Sequence, residues 1–389
     1  MTTLSFDAEV VSGKLPRKNI RLHDARPALV FSPAKLRVFS IGERSFIENQ
    51  DFAEIYALIQ KGEQSEYYSD FYQGATVVPR QFWFVNIVVG KYGIDTRAPT
   101  VQTSQRAEDH AKQKYSDVFL KGQVECEFLY QAATGSEVLP FGHLEFPLAM
   151  LPIEPSAGKY RLVSSEEAKT RGYIGVSSWL KNAERIWKEK RGEKAPIDVY
   201  GWLDYQHKLT NQSSRPAFKV LYNTSGTYLA SCVVRNEACS IELDGTTITS
   251  NGVLADMTTC YFDASDEHEA WYLAAFLNAR VIDMLIKPMQ PKGDFGQRHI
   301  AKKVLELPMP RYNPKNETHN EMRKLALSSA TKVKELLPSL EEKYDSIGKI
   351  RGLIKQELED EMTGIDRLVK TILLSRRNVQ KLDKLLQPS

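Results

Sequence analysis

FKVLYNTSGTYLASCVV, residues 218 to 234, decides how the middle of this chain is read. Residues 218 to 222 and 228 to 234 are short runs rich in aromatic and β-branched side chains, and Asn223-Thr224-Ser225-Gly226 between them is turn chemistry. That pairing predicts two strands joined by a tight connection. Outward from it, similar runs at 81 to 89, 124 to 130 and 246 to 249, punctuated at Thr134-Gly135 and Asp244-Gly245, predict a sheet-dominated region over residues 66 to 265. One helix interrupts it at 177 to 190, with Trp179, Ala183, Ile186 and Trp187 on a common face.

Beyond the sheet the period changes. Asp266 followed by Glu269 reads as a capping box opening a helix that runs to about residue 287, where Pro288 stops it. A loop rich in Pro, Gly and charge, 288 to 298, comes next. From Thr318 the pattern is helical: Ala326, Ala330, Val333, Leu337, Leu340, Tyr344 and Ile347 recur at steps of four and three, the spacing of a coiled-coil seam. Ile365, Leu368, Ile372, Ser375, Val379, Leu382 and Leu386 form a second such run; Pro338 offers a kink, and Thr363-Gly364 with Asp366 a new helix start. Residues 1 to 60 read as short strands separated by Pro16, Pro27 and Pro33, then a helix over about 51 to 61. The expected fold class is α+β: an edge block at 1–65, a mixed, sheet-rich domain at 66–314, and a coiled-coil-like helical bundle at 315–389.

A chain of 389 residues, 42% hydrophobic and 26% charged, is long enough for two or three globular units and too apolar for a disordered tail. Lys plus Arg is 52 against 49 Asp plus Glu, and the balance holds on both sides of Pro314, so any polyanion must be met by local patches rather than by net charge. The 22 glycines never fall as Gly-x-Gly, and no GxxxxGK[ST], HExxH or GxSxG occurs. Standard nucleotide loops, zincin sites and serine-hydrolase elbows are thereby excluded. Cys126, Cys232, Cys239 and Cys260 have no metal-like spacing and the first residues lack a signal-peptide layout, which predicts a reducing, cytoplasmic setting and no metal. The longest apolar stretch, 271 to 286, is broken by Asn278, Arg280 and Asp283, so no membrane role is expected. The 18 prolines are never adjacent, so the Asn/Asp-Pro-Pro-aromatic segment with which DNA amino-methyltransferases hold a flipped base is missing.

Four segments together resemble the target-recognition half of adenine-specific DNA methyltransferases of the type IIG restriction-modification kind, related to the Taq-type enzymes. Residues 67 to 80, ending Gln73-Gly74-Ala75-Thr76-Val77-Val78-Pro79-Arg80, are similar to an F-x-x-G-A-x-x-x-P-R stretch. Residues 122 to 130 with Leu139-Pro140-Phe141 resemble the strand that opens the recognition region. Residues 204 to 212 followed by 219 to 227 resemble a paired motif within it, and 272 to 279, 292 to 298 and 307 to 310 resemble its helix, glycine-rich turn and L-P-x-P exit. The resemblance implies sequence-specific recognition of double-stranded DNA, with residues 1 to 65 a remnant edge of a methyltransferase domain. Catalysis and S-adenosylmethionine would belong to a partner methyltransferase chain or missing domain, so the resemblance implies no bound cofactor and no catalytic residue in this chain. The helical tail would brace that assembly or self-associate.

DNA contact needs cations for phosphate and planar polar groups for base edges. Lys292, Gln297 and Arg298 in the glycine-bearing loop, Lys208, Asn211, Gln212 and Arg215 ahead of a strand, and Arg80 beside Phe82-Trp83-Phe84 supply both kinds. Each also has an ordinary structural explanation, as a turn, a solvated face or a strand cap. Two alternatives stay open: a metal-dependent nuclease using Glu125 and Glu127, expected on one strand face, and a purely helical adaptor.

Overall fold

The structure is a computed structural model that describes residues 5–386 apart from 14, 16, 18, 42–43, 50–54, 57–62, 110–112, 193–195, 291, 294–295 and 298–299. Helix accounts for 42% and strand for 27%, in several small sheets followed by helices, so the fold is mixed α+β.

Phe218–Asn223 is the second strand of an antiparallel four-stranded sheet ordered Ser231–Arg235, Phe218–Asn223, Thr259–Ala264, Tyr72–Gln73. Its side chains alternate between two cores. Val220, Tyr222, Cys260 and Phe262 pack against the Glu267–Asn278 helix, whereas Leu221, Cys232, Val234 and Tyr261 pack with Ala133, Val253 and Ala255 of a second sheet. Burial on both faces explains why the strand reads as a continuous apolar run. The second sheet, ordered Leu148–Met150, Leu129–Ala133, Thr246–Ala255, Cys239–Leu243, joins its middle strands in parallel. Beneath it, the Ile174–Arg191 helix and a small sheet of Val85–Ile87, Thr100–Thr103 and Lys121–Gln123 complete a further core around Phe82, Trp83, Trp179 and Leu180.

Several expected boundaries move, for visible reasons. The run at 81 to 89 begins as a helical turn, Arg80–Trp83, that follows Pro79 and buries Gln81, Phe82 and Trp83; the strand is only Val85–Ile87. The run at 124 to 130 contains the 3-10 turn Cys126–Phe128 before its strand begins at Leu129. Asp266 does cap its helix, accepting from His268 N at 2.9 Å, but Glu269 closes no box. It accepts instead from the Tyr67 hydroxyl at 2.8 Å. The helix breaks at Ala279 (φ −56°, ψ 131°) and resumes as Arg280–Ile286. The break lets buried Asn278 bond both backbone groups of Ser231 at the sheet edge, at 2.9 and 2.8 Å, while Asp283 accepts from Leu229 N.

The tail forms helices Glu317–Lys343, Ile347–Glu357 and Glu359–Leu386. The first continues through Pro338. Thr363-Gly364 lies inside the last, and Asp366 starts no helix there; its carboxylate takes Arg280 Nε at 2.7 Å and Val281 N at 3.1 Å, binding the tail to the Arg280–Ile286 helix. The buried seam of the last helix is Met362, Ile365, Val369, Ile372 and Leu373, a register in which Val369 takes the buried place expected of Leu368, which is only partly buried, and Ser375 is exposed. These residues share one core with the Glu267–Asn278 helix. At the other end, Ser5–Gly13, Leu29–Ile41 and Arg44–Asn49 form an antiparallel meander that leaves Val10, Val30 and Ile47 exposed. Of the helix expected over 51 to 61, only Ile55 and Tyr56 are described, and both are helical.

Candidate nucleic-acid interface

The segment from Asp198 to Gln212 builds the most distinctive local structure. Asp198 caps the short Val199–Leu203 helix by accepting from Gly201 N at 2.7 Å. Asp204, buried at the end of that helix, then closes a loop with its carboxylate, accepting from Leu209 N at 3.0 Å, Thr210 N at 2.9 Å and Thr210 Oγ1 at 2.8 Å. A buried carboxylate is stable only when its lone pairs are so occupied. The closed loop presents Tyr205, Gln206 and His207 to solvent.

Opposite this loop lies the edge strand Tyr72–Gln73. Lys208 Nζ donates to Gln73 Oε1 at 3.1 Å, and Gln73 Nε2 donates to Met257 O, so the lysine is held across from the sheet edge. Lys159, beside the left-handed turn Ala157–Gly158, donates to Asn211 Oδ1 at 2.9 Å, and Lys302 stands with Nζ 5.0 Å from the Tyr68 ring. Together these elements enclose a cleft of about 610 Å³ whose rim carries Lys159, Lys208 and Lys302 and whose walls include Tyr72 and Tyr261.

The acid in the cleft is already matched. Asp263 pairs with Lys219, which is fully buried on the neighbouring strand, directly across from it in register. Burial pulls the Lys219 ammonium below its ordinary pKa, and the Asp263 charge opposes that pull. With Asp263 so occupied, the three rim lysines set the sign of the cleft. A concave positive rim with aromatic and amide walls suits a polyanion bearing planar bases.

Two of the eight expected contact residues, Lys208 and Asn211, meet in this cleft. Gln212 does not: it is fully buried, its amide bonding Ala255 N at 2.8 Å and Ala255 O at 2.9 Å, so it splices the loop to the second sheet and presents nothing to a ligand. Arg215 is exposed but lies against Gly158, a left-handed glycine (φ 84°) where a Cβ would stand 2.7 Å from Arg215 Nε. Arg80 is partly buried over the Phe84 ring, 3.9 Å from Asp256, and lines a separate cavity of about 190 Å³ with Tyr115, Arg191 and Trp202. Lys292 and Gln297 are cross-strand partners in a short antiparallel ladder, and Arg298 lies outside the described residues. Lys159, Lys302, Tyr72, Gln206 and His207 were not anticipated. Tyr72, Gln206 and His207 fall inside the quoted motif segments; Lys159 and Lys302 come from other parts of the chain and carry no local signal.

The nuclease alternative loses its geometry. Glu125 precedes a 3-10 turn rather than lying on a strand, and its two carboxylate oxygens accept from Gly175 N at 3.0 Å and Val176 N at 2.8 Å, capping the Ile174–Arg191 helix. Among the described residues no group of three or more His, Cys, Asp or Glu side chains converges as a metal site. No helix among the described residues is long and apolar enough to cross a membrane.

Neither a protein-family model nor a curated protein matches the chain. Among solved structures it is similar to the type IIL restriction-modification enzyme MmeI, solved in complex with DNA, with a TM-score of 0.42 and 8% identity over 78% of this chain and 32% of that one. It is also similar to the type IIG restriction endonuclease BpuSI, with a TM-score of 0.32 and 12% identity over 84% of this chain and 35% of that one. The chain thus spans about a third of the length of these enzymes.

Proposed function

We propose that this chain is the sequence-recognition part of an adenine-specific DNA methyltransferase within a restriction-modification system, with catalysis and S-adenosylmethionine supplied by a methyltransferase domain or partner chain. The observation that carries the reading is the cleft between the Asp204 loop and the Tyr72–Gln73 edge, where three ammonium groups from separate segments rim a surface of amides and phenols. The quoted motif resemblance over residues 67 to 310 supports it. In this reading Lys159, Lys208 and Lys302 hold phosphates and Asn211 reaches the groove. Lys292, Gln297 and Arg298 form a second contact, and Arg80 and Arg215 act as flanking cations. The methyltransferase is assigned to the N-terminal meander, where Val10, Val30 and Ile47 are uncovered.

Phosphate contacts release counterions, so the test is binding to duplex DNA over a salt series. Each neutralised phosphate adds about −0.9 to the slope of log K against log salt. Replacing Lys159, Lys208 or Lys302 by Ala is expected to weaken binding to every duplex and to flatten the slope by about one contact each. A near-zero net charge places this binding at low salt when the chain is alone. Failure to bind DNA at low salt, both alone and with a methyltransferase chain, would sink the reading, and so would methyl transfer by the isolated chain.

A further inference from the structure

Two residues of the Asp204 loop sit in an unfavourable backbone conformation, and the side chain of the first, Gln206, does nothing to support it. Gln206 (φ 58°, ψ 27°) and His207 (φ 56°) occupy the left-handed region in succession, where an L side chain crowds its carbonyl and glycine is the unstrained choice. Asp204 holds them there through its bonds to Leu209 and Thr210. The Gln206 side chain is exposed and makes no hydrogen bond among the described residues. The His207 side chain is 79% exposed, and its Nδ1 lies 3.3 Å from Asp204 Oδ2. In the neutral ring, the tautomer that places its proton on Nδ1 toward that carboxylate leaves Nε2 as an acceptor. Both residues border the lysine-rimmed cleft.

A loop closed by Asp204 with glycines at 206 and 207 would carry no strain, but it would also present no side chain. Strain kept at exposed residues on a ligand cleft is the kind of outlier from which a function is argued. We infer that Gln206 and His207 are the base-edge readers of this cleft. Gln206 pairs bidentately with the N6 and N7 edge of an adenine, and His207 Nε2 accepts from the exocyclic amino group of an adenine or cytosine. The inference rests on the DNA-binding reading above. The rim lysines would fix the duplex through phosphates, which carry no sequence, and the amide and imidazole would supply the planar donor and acceptor groups that major-groove edges require.

The test is selection from a duplex pool with a randomised central segment at low salt, using the full chain and its Gln206→Gly and His207→Gly variants. Glycine takes this φ without strain, so both variants keep the loop and are expected to melt at or above the parent temperature. The parent is expected to enrich a motif, and each variant to lose roughly tenfold or more of the preference at one base position while total binding to the unselected pool and its salt slope stay unchanged. Enrichment of the same motif at the same strength by both variants overturns the inference and leaves the lysine cleft standing. A parent that binds the pool but enriches nothing overturns it too, whereas a parent that does not bind the pool removes the cleft reading beneath it. If a glycine variant melts below the parent, the asparagine variant at the same position, Gln206→Asn or His207→Asn, replaces it, since asparagine tolerates the left-handed region while withdrawing the amide by one methylene or removing the imidazole; the same loss of preference is expected.

Discussion

Asp256 is almost wholly removed from water, one oxygen accepting from Thr258 N at 3.0 Å and Thr258 Oγ1 at 2.6 Å, the other without a partner among the described residues. Burial raises its pKa above the ordinary 3.8, against the lowering effect of the Thr258 bonds and of Arg80. An acid whose folded pKa is raised binds its proton more tightly in the folded state, so stability falls as pH climbs from 3.8 through the folded value and the penalty is complete above it. Asp256→Asn keeps the Thr258 acceptor and removes the buried charge. It is expected to melt at or above the parent at pH 8, with the gap closing as pH approaches 4; thermal melts across that range check it, and a variant less stable at pH 8 would show that the Arg80 attraction outweighs burial. The same scale shows what residue types alone cannot tell. Lys208 and Gln212 are four residues apart and equally suited to DNA on paper, yet one reaches the cleft and the other turns inward to Ala255. Only the direction of each side chain separates them, and that is set by tertiary neighbours from residues 73 and 255.

Helix caps and clamps explain which elements were legible. The Ile174–Arg191 helix was readable from its buried stripe of Trp179, Ala183 and Trp187 because a surface helix writes its own period. Its N-terminal cap was not, because Glu125 reaches it from 50 residues away. Glu125→Gln retains one good acceptor and loses the charge at the positive helix end, so a loss of about 1 kcal/mol is expected in denaturant melts; a loss of DNA binding without a loss of stability would instead give Glu125 a direct role. Arg351 does the equivalent work for the tail. From the Ile347–Glu357 helix its guanidinium donates to Val138 O at 2.9 Å and to Gly135 O at 2.6 Å, and burial lowers its pKa from the arginine norm. That fork clamps the 134–138 turn, where Gly135 itself passes too close to Thr258 O to admit a side chain. Arg351→Lys replaces a planar fork by a point charge and leaves a buried carbonyl unmet, with an expected loss of about 1–3 kcal/mol in the same measurement. The sequence period marked the tail from Thr318 as helical, and three helices form there with breaks at 344–346 and Leu358; the buried register shifted to Val369 because the tail helices pack on the Glu267–Asn278 and Arg280–Ile286 helices as well as on one another.

At the scale of the whole molecule, the question is whether the tail is an arm or part of the body. A free arm would carry its own seam and leave the rest intact when removed. Here Met322, Ala326 and Val333 of the Glu317–Lys343 helix are buried in the same cluster as Leu273, Phe276 and Leu277. Polar ties run the same way: Arg280 donates to Thr363 and Asp366, and Arg351 clamps the 134–138 turn. A chain ended after Pro314 would uncover the outer side of the Glu267–Asn278 helix, whose inner side packs on the sheet containing Phe218–Asn223; each large core side chain deprived of its neighbours costs about 2–5 kcal/mol, and a domain holds only about 5–15 kcal/mol in all. The truncated chain is therefore expected to lose its cooperative melt and to bind a hydrophobic dye, and the full chain with Met322→Ala is expected to lose about 2–5 kcal/mol while still folding. A truncation that keeps the parent melting temperature would make the tail a separable arm. In that case the rim lysines of the cleft would remain in place, so DNA binding by the truncated chain separates a tail with no part in binding from one that contributes contacts to the duplex.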